Sequence, residues 1–496
     1  MKRRAMQPCL FGLGWIFFSA FLSGCMSGPD YRPPTSTSSP AGRGSFVTEA
    51  PTIDPNTNPR EHWWRLYDDP ALAGIVQDAL AANTDLRAAE AHLRLAQSVV
   101  SEARAGRFPS TTASGGVTWG RGETSQGGAY NTDTGVKRLV EQGGFATAWE
   151  LDLFGHVSRA IEAARGNAEA VEAARDGVRV AVAANVTLAY SKACALSESV
   201  QVARTSLELA HESYTLVADQ RHAGSASGLD LERAGALVAS AQAAVPPLEG
   251  QHRAALFELA ALMGRPPSEI PAAASSCKQA PQLHKPIPVG DGTSLLRRRP
   301  DVREAERMLA SDTARVGVAV AELYPRISLG GAVDYLHSGS GQFGPDLSFS
   351  IGPLVTWSFP NILVARAHIR QAQSTADADL ANFDGTVLTA LKETEQALAV
   401  YATDLDQQSA LTVARDRSER AFHLADSLYR AGSISYLEQI TAQQALTDAQ
   451  AKLARSDLQV AVDRVNLFKA LGGGWELQGK EAAVSRMGST VTGTSG

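Results

Sequence analysis

The chain repeats itself at a fixed offset of 208 residues. The pairs that carry this offset are Trp149 and Trp357, Gly177 and Gly385, Gly224 and Gly432, and Gly264 and Gly472. Upstream the offset becomes 216, from Pro109 to Pro325, so the first copy has eight additional residues between Pro109 and Trp149. Self-similarity at a fixed offset indicates two copies of one structural unit. The repeat therefore predicts one body with two related halves, where a length of 496 residues alone would suggest two to four domains.

The N-terminus has the pattern of a bacterial export signal. Three basic residues at 2–4 precede an apolar stretch, and the segment 1–24 ends in small residues, which predicts a signal peptide. The run 22–25, Leu-Ser-Gly-Cys, resembles a bacterial lipoprotein cleavage box. This resemblance implies that Cys25 becomes the mature N-terminus and carries acyl chains such as palmitate. It also implies, because Met26 is not aspartate, that nothing retains the protein at the inner membrane. The alternative is an ordinary signal peptide with a chance cysteine.

Charge and cysteine content exclude several classes of protein. The formal net charge is -6, and removal of the three basic residues of the signal would change it to -9, which argues against nucleic acid as a partner. Cys194 and Cys277 would be the internal cysteines of the mature chain. One pair does not make a disulfide framework, and the sequence leaves the fate of these two thiols open. No uncharged apolar stretch of about 18 residues follows the signal, so we expect no transmembrane helix.

The composition after the signal changes from loop-forming to helix-forming residues. Residues 25–60 are rich in Pro, Ser, Thr and Gly, which predicts a lipidated tether, with order beginning at Trp63. Strong helix formers dominate 156–222 and 362–430. A continuous helix of about 67 residues would be roughly 100 Å long, because each residue adds 1.5 Å.

The predicted elements occur in the same order in both copies. A helix opens each copy, at 70–106 and at 301–322, and is followed by a segment of strand character. We divide the mature chain into a first repeat at 61–290, a second repeat at 291–475 and a flexible tail at 476–496.

Two segments with strand character, about 109–153 and 325–359, alternate between apolar and small polar residues. The apolar positions are Val117 and Trp119 in the first copy and Ile327, Leu329, Val333, Tyr335, Leu347, Phe349, Ile351, Val355 and Trp357 in the second. A strand with lipid on one face and water on the other requires this period of two. The alternative is a soluble, half-buried hairpin. Two hairpins give four strands, and an open sheet edge is excluded from hydrocarbon, so the chain must oligomerise to close a barrel.

An enzyme has little support in the sequence. The ten histidines are scattered from His62 to His423, without an HExxH motif or a cluster with metal-ligand spacing. There is no GxSxG nucleophile motif and no phosphate-binding GxxxxGK[ST] loop. We therefore expect no catalytic residues, no cofactor and no metal site. A structural coiled-coil envelope lipoprotein without transport activity explains the helices and the anchor, but it leaves the alternating hairpins unexplained.

Several motifs together resemble the TolC-like outer-membrane efflux factors, in particular their lipoprotein branch. These motifs are GPDY at 28–31, WRLYDDP at 64–70, WELDLFG at 149–155, LLRRRPDVR at 295–303, YPRISL at 324–329 and LGGGW at 471–475. The resemblance implies a mainly α fold with a small β part, in which a homotrimer forms a 12-strand outer-membrane β-barrel on a periplasmic α-helical barrel. It implies a passive exit duct for an inner-membrane efflux pump, with a periplasmic adaptor (membrane fusion) protein and outer-membrane lipid as further partners. Family members serve pumps of the resistance-nodulation-division, major-facilitator or ABC type, and the lipoprotein branch mostly serves the first. Neither the motifs nor the composition indicate which substrates are transported.

Two glycine-serine turns break the long helical stretches at equivalent points. They comprise Gly224, Ser225, Ala226 and Ser227 in the first copy and Gly432, Ser433, Ile434 and Ser435 in the second. The resemblance implies that these turns are periplasmic tips that contact the adaptor; the alternative is that the glycines only let the chain turn.

Acidic residues follow each turn. They are Asp230 and Glu232 in the first copy and Glu438 in the second, and in a trimer each would form a ring of three charges at a periplasmic gate. Thr441 stands where related sequences often carry aspartate. The alternative is that these carboxylates lie on a solvated helix surface.

The arginine run 297–299 could suggest nucleic acid or anionic lipid. We favour a structural role, in which these residues precede a helix that begins at Pro300. Arg303 and Arg307 would then alternate with acidic residues on a solvated face.

Overall fold

The computed structural model describes residues 26–34, 46–48, 52–58, 62–120, 138–283, 285–338, 346–357 and 362–473. The predicted signal peptide, Cys25, residues 474–475 and the predicted tail lie outside the described residues. Within the described residues the long helices are α1 Pro70–Ala82, α2 Thr84–Ala105, α3 His156–His222, α4 Gly228–Leu262, α7 Pro300–Ala321, α8 Ile362–Arg430 and α9 Tyr436–Ala470. Two short helices, α5 Ala272–Ser275 and α6 Gly292–Arg298, and a 3-10 helix at Trp63–Tyr67 lie between them. The strands are β1 Ile53–Asp54, β2 Ser110–Gly120, β3 Arg138–Leu151, β4 Ile287–Pro288, β5 Arg326–Ser338 and β6 Asp346–Thr356.

The order and lengths of these elements confirm the internal repeat and the fold class. Helices α3 and α8 have 67 and 69 residues, and α4 and α9 have 35 each. Each long pair follows one β-hairpin. Helix accounts for 70% of the structure and strand for 12%, so the fold is mainly α with a small β part.

The described chain forms two compact units. The first, here called the sheet unit, consists of the described parts of 1–33, 93–171 and 305–383. The second, here called the core unit, consists of the described parts of 34–92, 172–304 and 384–496.

The sheet unit contains one antiparallel sheet of four strands in the order β2-β3-β5-β6. The hairpins β2-β3 and β5-β6 come from different copies of the repeat, and β3 pairs with β5 where the two copies meet. The register places Phe145 of β3 opposite Val333 of β5, and Val333 opposite Phe349 of β6.

The core unit contains buried aromatic side chains and a disulfide. Trp63 and Phe468 are fully buried, and their rings stack with centroids 4.5 Å apart. Cys194 in α3 and Cys277 are bonded to each other, which settles the fate of the two internal cysteines. A cross-link between residues 83 positions apart restricts the unfolded chain and so favours the folded state.

The structure contradicts the prediction of a single helix over 70–106. Asn83 separates α1 from α2, and its side-chain oxygen accepts hydrogen bonds from the backbone N–H groups of Asp85 at 2.9 Å and Leu86 at 3.1 Å. Its side-chain nitrogen donates to the carbonyl oxygen of Leu262 at 2.8 Å. Asn83 therefore caps the start of α2 and ties that point to the end of α4.

Order also begins before Trp63, contrary to prediction. β1 pairs in parallel with β4, with Ile53 opposite Ile287. The backbone N–H of Val47 donates to Oε1 of Glu395 at 2.6 Å. The described residues 46–48 and 52–58 are therefore attached to the core unit.

The arginine run has a more specific role than the sequence indicated. Helix α7 does begin at Pro300, as predicted. Arg298 and Arg299 are buried, and they donate hydrogen bonds to the carbonyl oxygens of Leu471 at 2.8 Å and Ala470 at 3.0 Å. These are orphan acceptors at the end of α9, where positive charge is favourable.

The prediction that Arg303 and Arg307 lie on a solvated face was wrong. Both residues are half-buried. Arg307 donates to Glu306 at 2.7 Å and to Glu169 of α3 at 3.3 Å, so it binds two helices of the sheet unit together.

Helix α3 contains the one window in the described chain that is long and apolar enough to cross a membrane, with a mean hydropathy of 1.2 over 18 residues. Of that window, 72% is buried inside the structure. The apolar character of α3 is therefore satisfied by contact with protein.

Candidate functional site

The sheet has one apolar face that the described chain leaves exposed. Directly paired residues of an antiparallel ladder point to the same face, so the register assigns every strand residue to a side. The exposed apolar residues of one face are Val117, Trp119, Leu139, Phe145, Trp149, Leu329, Val333, Tyr335, Leu347, Phe349, Ile351 and Val355. In β6 the side chains of Phe349 and Ile351 are 82% and 81% exposed. This confirms the predicted alternation and leaves an apolar surface that requires a non-aqueous neighbour.

The opposite face carries mainly small and polar side chains, and its exposed large apolar residues are Leu336 and Leu354. Its members include Ser110, Thr112, Ser114 and Thr118 of β2, Ala146 and Ala148 of β3, Ser328 and Asp334 of β5, and Ser348 and Ser350 of β6. Small polar residues suit a surface in contact with water. The two faces together match a strand arrangement with lipid on one side and an aqueous lumen on the other.

Aromatic residues are concentrated where the strands join the helices. The indole N–H of Trp149 donates to the carbonyl oxygen of Arg107 at 2.9 Å, and that of Trp357 donates to the carbonyl oxygen of Leu323 at 3.3 Å. Tyr324 is partly exposed and stacks on Phe154 with ring centroids 4.7 Å apart. Tryptophan and tyrosine rings with one apolar side and one polar group are typical of the boundary between lipid and water.

The sheet ends in two edge strands. Within the described chain β2 and β6 each have a neighbouring strand on one side only. Each edge is 11 residues long, which is enough to pair along its length with another chain.

The two predicted tips have the same backbone geometry. Gly224 and Gly432 adopt φ of +78° and +72°, the left-handed conformation that glycine reaches without strain. The backbone N–H groups of Gly224 and Ser225 donate to the carbonyl oxygens of Arg221 and Gln220, respectively. This pattern is a Schellman motif at the end of α3, and Gly432 and Ser433 form the same motif at the end of α8. A Cβ at either glycine would meet nothing within 4 Å. The tips therefore present open backbone.

Each tip is followed by a helix whose first turn forms a capping box, and each capping box contains a predicted gate residue. Ser227 and Ser435 are the N-caps of α4 and α9, and they exchange hydrogen bonds with Asp230 and Glu438. The shortest bonds join the hydroxyl of Ser227 to Oδ2 of Asp230, at 2.6 Å, and the backbone N–H of Ser435 to Oε2 of Glu438, at 2.8 Å. Each carboxylate therefore has a structural role at the start of its helix.

Asp230 and Glu438, the two predicted gate residues that lie in capping boxes, differ in charge environment. Nη1 of Arg233 lies 3.5 Å from Asp230 and partly offsets its charge. The repeat places Thr441 at the position of Arg233, and the Thr441 hydroxyl donates to the carbonyl oxygen of Leu437 at 2.6 Å. Hydrogen bonds from the backbone and side chain of Ser435 lower the pKa of Glu438, which keeps this exposed carboxylate ionised.

Glu232, the third predicted gate residue, is exposed on α4 one turn after the cap. It lies on the same helix as Asp230. Its exposure agrees with a solvated surface as well as with a position beside a pore.

Sequence reasoning missed a polar contact between the two tips. The Tyr429 hydroxyl donates to the side-chain oxygen of Gln220, and the hydroxyls of Ser213 and Tyr436 lie 3.3 Å apart. The rings of Tyr429 and Tyr436 are 5.6 Å apart. The repeat aligns these tyrosines with Arg221 and Gly228. The sequence therefore showed only that the two copies differ at these positions, and not which residues the tyrosines contact.

Among the described residues, no group of three or more His, Cys, Asp or Glu side chains could hold a metal ion.

A family model described as outer membrane efflux protein matches residues 75–265 and 293–473. The chain is 30% identical to nodulation protein T of Rhizobium leguminosarum bv. viciae over 492 residues, covering 97% of each protein. It is 30% identical to the probable efflux pump outer membrane protein TtgC of Pseudomonas putida over 477 residues, covering 93% of this chain and 95% of that protein. The solved structure of the outer-membrane channel OprN matches 91% of this chain and 100% of its own, at 32% identity and a TM-score of 0.81.

The two matched segments correspond to the two copies of the repeat. The chain therefore belongs to the outer membrane efflux protein family, a family of outer-membrane channels and not of enzymes.

Proposed function

We propose that three copies of this chain form the exit duct of a tripartite efflux system. The duct passively conducts substrates from an inner-membrane pump and a periplasmic adaptor to the exterior. The observation that carries the proposal is a four-stranded sheet with an exposed apolar face and two edge strands that have no second neighbouring strand among the described residues.

The sheet edges require partner chains. Each unpaired backbone group in hydrocarbon costs several kcal/mol, so a bilayer excludes an open edge of 11 residues. Single-chain bacterial barrels begin at about eight strands, which one chain with four cannot supply. Pairing β6 of one copy with β2 of the next closes a barrel of twelve strands in a homotrimer, the oligomer that the family resemblance implies.

The tips are proposed as the contact with the adaptor. Gly224 and Gly432 leave open backbone at the ends of the hairpins α3-α4 and α8-α9. A helical hairpin of the adaptor can pack closely against such a surface. Replacing Gly432 by Trp tests this contact, with Gly432→Ala as the control for backbone strain, since both variants carry a side chain at φ +72°. We expect lost efflux from intact oligomers for Trp alone, and normal efflux with Trp would contradict adaptor contact at this tip.

The gate charge is proposed to come mainly from Glu438. Its carboxylate is exposed and ionised, whereas Asp230 has Arg233 beside it. Three copies of one unpaired carboxylate around a pore attract cations and repel anions. Glutamine also forms a capping box at this position, so Glu438→Gln removes the charge and keeps the helix start. We expect a smaller cation-to-anion permeability ratio for Glu438→Gln than for Asp230→Asn; equal, unchanged ratios would argue against a functional ring.

Membrane attachment is proposed to have two parts. The apolar face of the sheet contacts lipid, and acyl chains on Cys25 add a covalent anchor. Two or more acyl chains bind a membrane stably, since each buried CH₂ contributes about 0.8 kcal/mol.

The decisive experiment is single-channel conductance of the purified oligomer in a planar bilayer, with its mass measured in parallel. We expect a trimer that conducts cations. The alternative function, a coiled-coil envelope lipoprotein, predicts a monomer, or an oligomer that stays non-conducting even when both acidic tips are neutralised.

A further inference from the structure

The residues that directly follow Cys25 are packed against the sheet unit. Ser27 donates two hydrogen bonds to the carbonyl oxygen of Phe154, from its backbone N–H at 3.3 Å and from its hydroxyl at 2.6 Å. Met26 lies against Gly155, where an added Cβ would be 3.1 Å from the Met26 Cα. This chain segment thus occupies a defined position, although its composition is that of a tether.

A buried arginine holds the segment in place. The side chain of Arg159 is 1% exposed. Its Nε donates to the carbonyl oxygen of Ser27 at 3.1 Å, and its Nη2 donates to the carbonyl oxygen of Gly28 at 3.4 Å and to Oδ1 of Asp30 at 2.7 Å. A further bond joins Nη1 to Glu162 of the same helix at 2.7 Å. A buried guanidinium requires partners for its N–H groups, and the segment supplies most of those seen here.

Two glycines allow the segment to cross α7 at backbone contact. Gly28 has φ of +88°, and a Cβ there would lie 2.5 Å from the Cα of Gly317. At Gly317 an added Cβ would lie 2.8 Å from Arg159. Beyond the crossing, the hydroxyl of Tyr31 donates to Glu306 at 3.1 Å. Steric fit and hydrogen bonds therefore select the same placement of residues 26–31.

The contacts of residues 26–31 with Phe154 and Arg159, here called the Arg159 seat, lie at the end of the sheet where the aromatic residues are concentrated. Phe154, which receives both bonds from Ser27, follows the last residue of β3 closely and stacks on Tyr324 just before β5. Trp149 and Trp357 mark the same end of the sheet and are partly exposed. Rings of this kind indicate the lipid-water boundary of a membrane barrel. Met26 is the residue that directly follows Cys25 in the sequence.

We infer that residues 26–31 and their Arg159 seat form a clasp that fixes the acylated N-terminus at the helix-side end of the sheet. The acyl chains then enter the adjoining lipid leaflet directly beside the strands, and the clasp sets the depth of the barrel relative to that leaflet. The inference rests on the proposed acylation and membrane location, and it adds the residue that positions the anchor.

A spin label placed just after the clasp tests the inference. Arg32 is exposed, and a cysteine at this position provides a single reactive thiol, because Cys194 and Cys277 are bonded to each other and Cys25 would be acylated. The label on Arg32→Cys in the purified, vesicle-reconstituted oligomer should show restricted motion. Arg159→Met, which removes the guanidinium, should convert the spectrum to fast motion.

Matched variants separate the clasp from general damage. Gly28→Val leaves the Arg159 guanidinium in place and introduces a Cβ that would lie 2.5 Å from the Gly317 Cα, so it should also release the label. Arg165→Met, an exposed arginine on the same helix, should leave the label restricted. Restricted motion in both Gly28→Val and Arg159→Met oligomers would overturn the inference, as would fast motion in the otherwise native chain.

The failure of the clasp can be distinguished from failure of the proposed function. The mass of the N-terminal peptide reports acylation of Cys25, and conductance reports the channel. A conducting, acylated oligomer with a freely moving label refutes the clasp alone. Restricted motion without acyl chains refutes the placement of the anchor. The whole inference is supported by three results together. The label shows restricted motion, Cys25 is acylated, and the label lies at the depth of the lipid boundary. Gly28→Val should then change that depth.

Discussion

The apolar face of the sheet can be tested with two neighbouring residues of one strand. Ile351 lies in the middle of β6, and its side chain is 81% exposed on the apolar face. Ser350 precedes it and points to the opposite face, beside Ala332. We predict that Ile351→Arg strongly destabilises the assembled barrel, whereas Ser350→Arg is tolerated.

The magnitude follows from the solvent that each face contacts. An arginine at the lipid-facing midplane of a barrel costs about 2–4 kcal/mol per chain. Each 1.4 kcal/mol is a factor of about ten, so the folding equilibrium should shift by roughly thirtyfold to several hundredfold per chain. Ser350→Arg puts the same charge in the aqueous lumen, where no desolvation is required.

The measurement is urea titration of folding into lipid vesicles for both variants and the unchanged chain. The difference between the two variants isolates the face, because side-chain size, charge and strand position are nearly identical. Equal destabilisation by both substitutions, or a larger effect at Ser350, would refute the assignment of this face to lipid.

Three other predictions concern single residues of the core unit. Ser435→Ala removes the N-cap of α9 and should lower local stability by about 1 kcal/mol, seen as faster amide hydrogen exchange in the first turn of α9. Gly472→Ala should destabilise the chain, because φ at this position is +65° and the added Cβ would lie 2.9 Å from Cγ of Arg299. Arg299 is held in place by hydrogen bonds. The loss of stability should appear as a lower midpoint of chemical unfolding. Burial, followed by a hydrogen bond with Asp404, raises the pKa of Asp463 to about 7. Since this pKa lies above the value of the unfolded chain, the stability contribution is present in acid and is lost as pH rises through about 7. Asp463→Asn should flatten this pH dependence of unfolding.

Two of these predictions have a control variant in the chain. Gly432→Ala has nearly the same φ, +72°, but no atom within 4 Å of the added Cβ, so it measures the backbone term alone. An equal effect at Gly432 and Gly472 would contradict the steric argument. Ser227→Ala should reproduce the loss at Ser435 in the other copy. Stability that is unchanged, or that increases, from pH 5 to pH 8 would contradict the assignment for Asp463.

Local patterns predicted most of the secondary structure. The helix formers of 156–222 and 362–430 coincide with α3 and α8. The alternation from Ile327 to Trp357 agrees with the exposed face of β5 and β6. These features are local because side-chain periodicity follows directly from backbone geometry.

The tips were predictable for the same reason, whereas their coupling was not. Glycine followed three residues later by serine marks a helix end and a new N-cap within a few residues. The pairing of Tyr429 with Gln220 joins residues 209 positions apart. Nothing in the local sequence indicates which of many surface tyrosines meets a distant partner.

The sequence by itself determined a duplicated, mainly helical chain with four lipid-compatible strands, because periodicity and turn chemistry act over a few residues. The break at Asn83, the Cys194–Cys277 bond and the seat of residues 26–31 on Arg159 required the tertiary structure. Arg159 and Asp30 are 129 residues apart and become partners only when the fold removes the guanidinium from water. Burial creates the demand for a partner, and burial is a property of the packed chain.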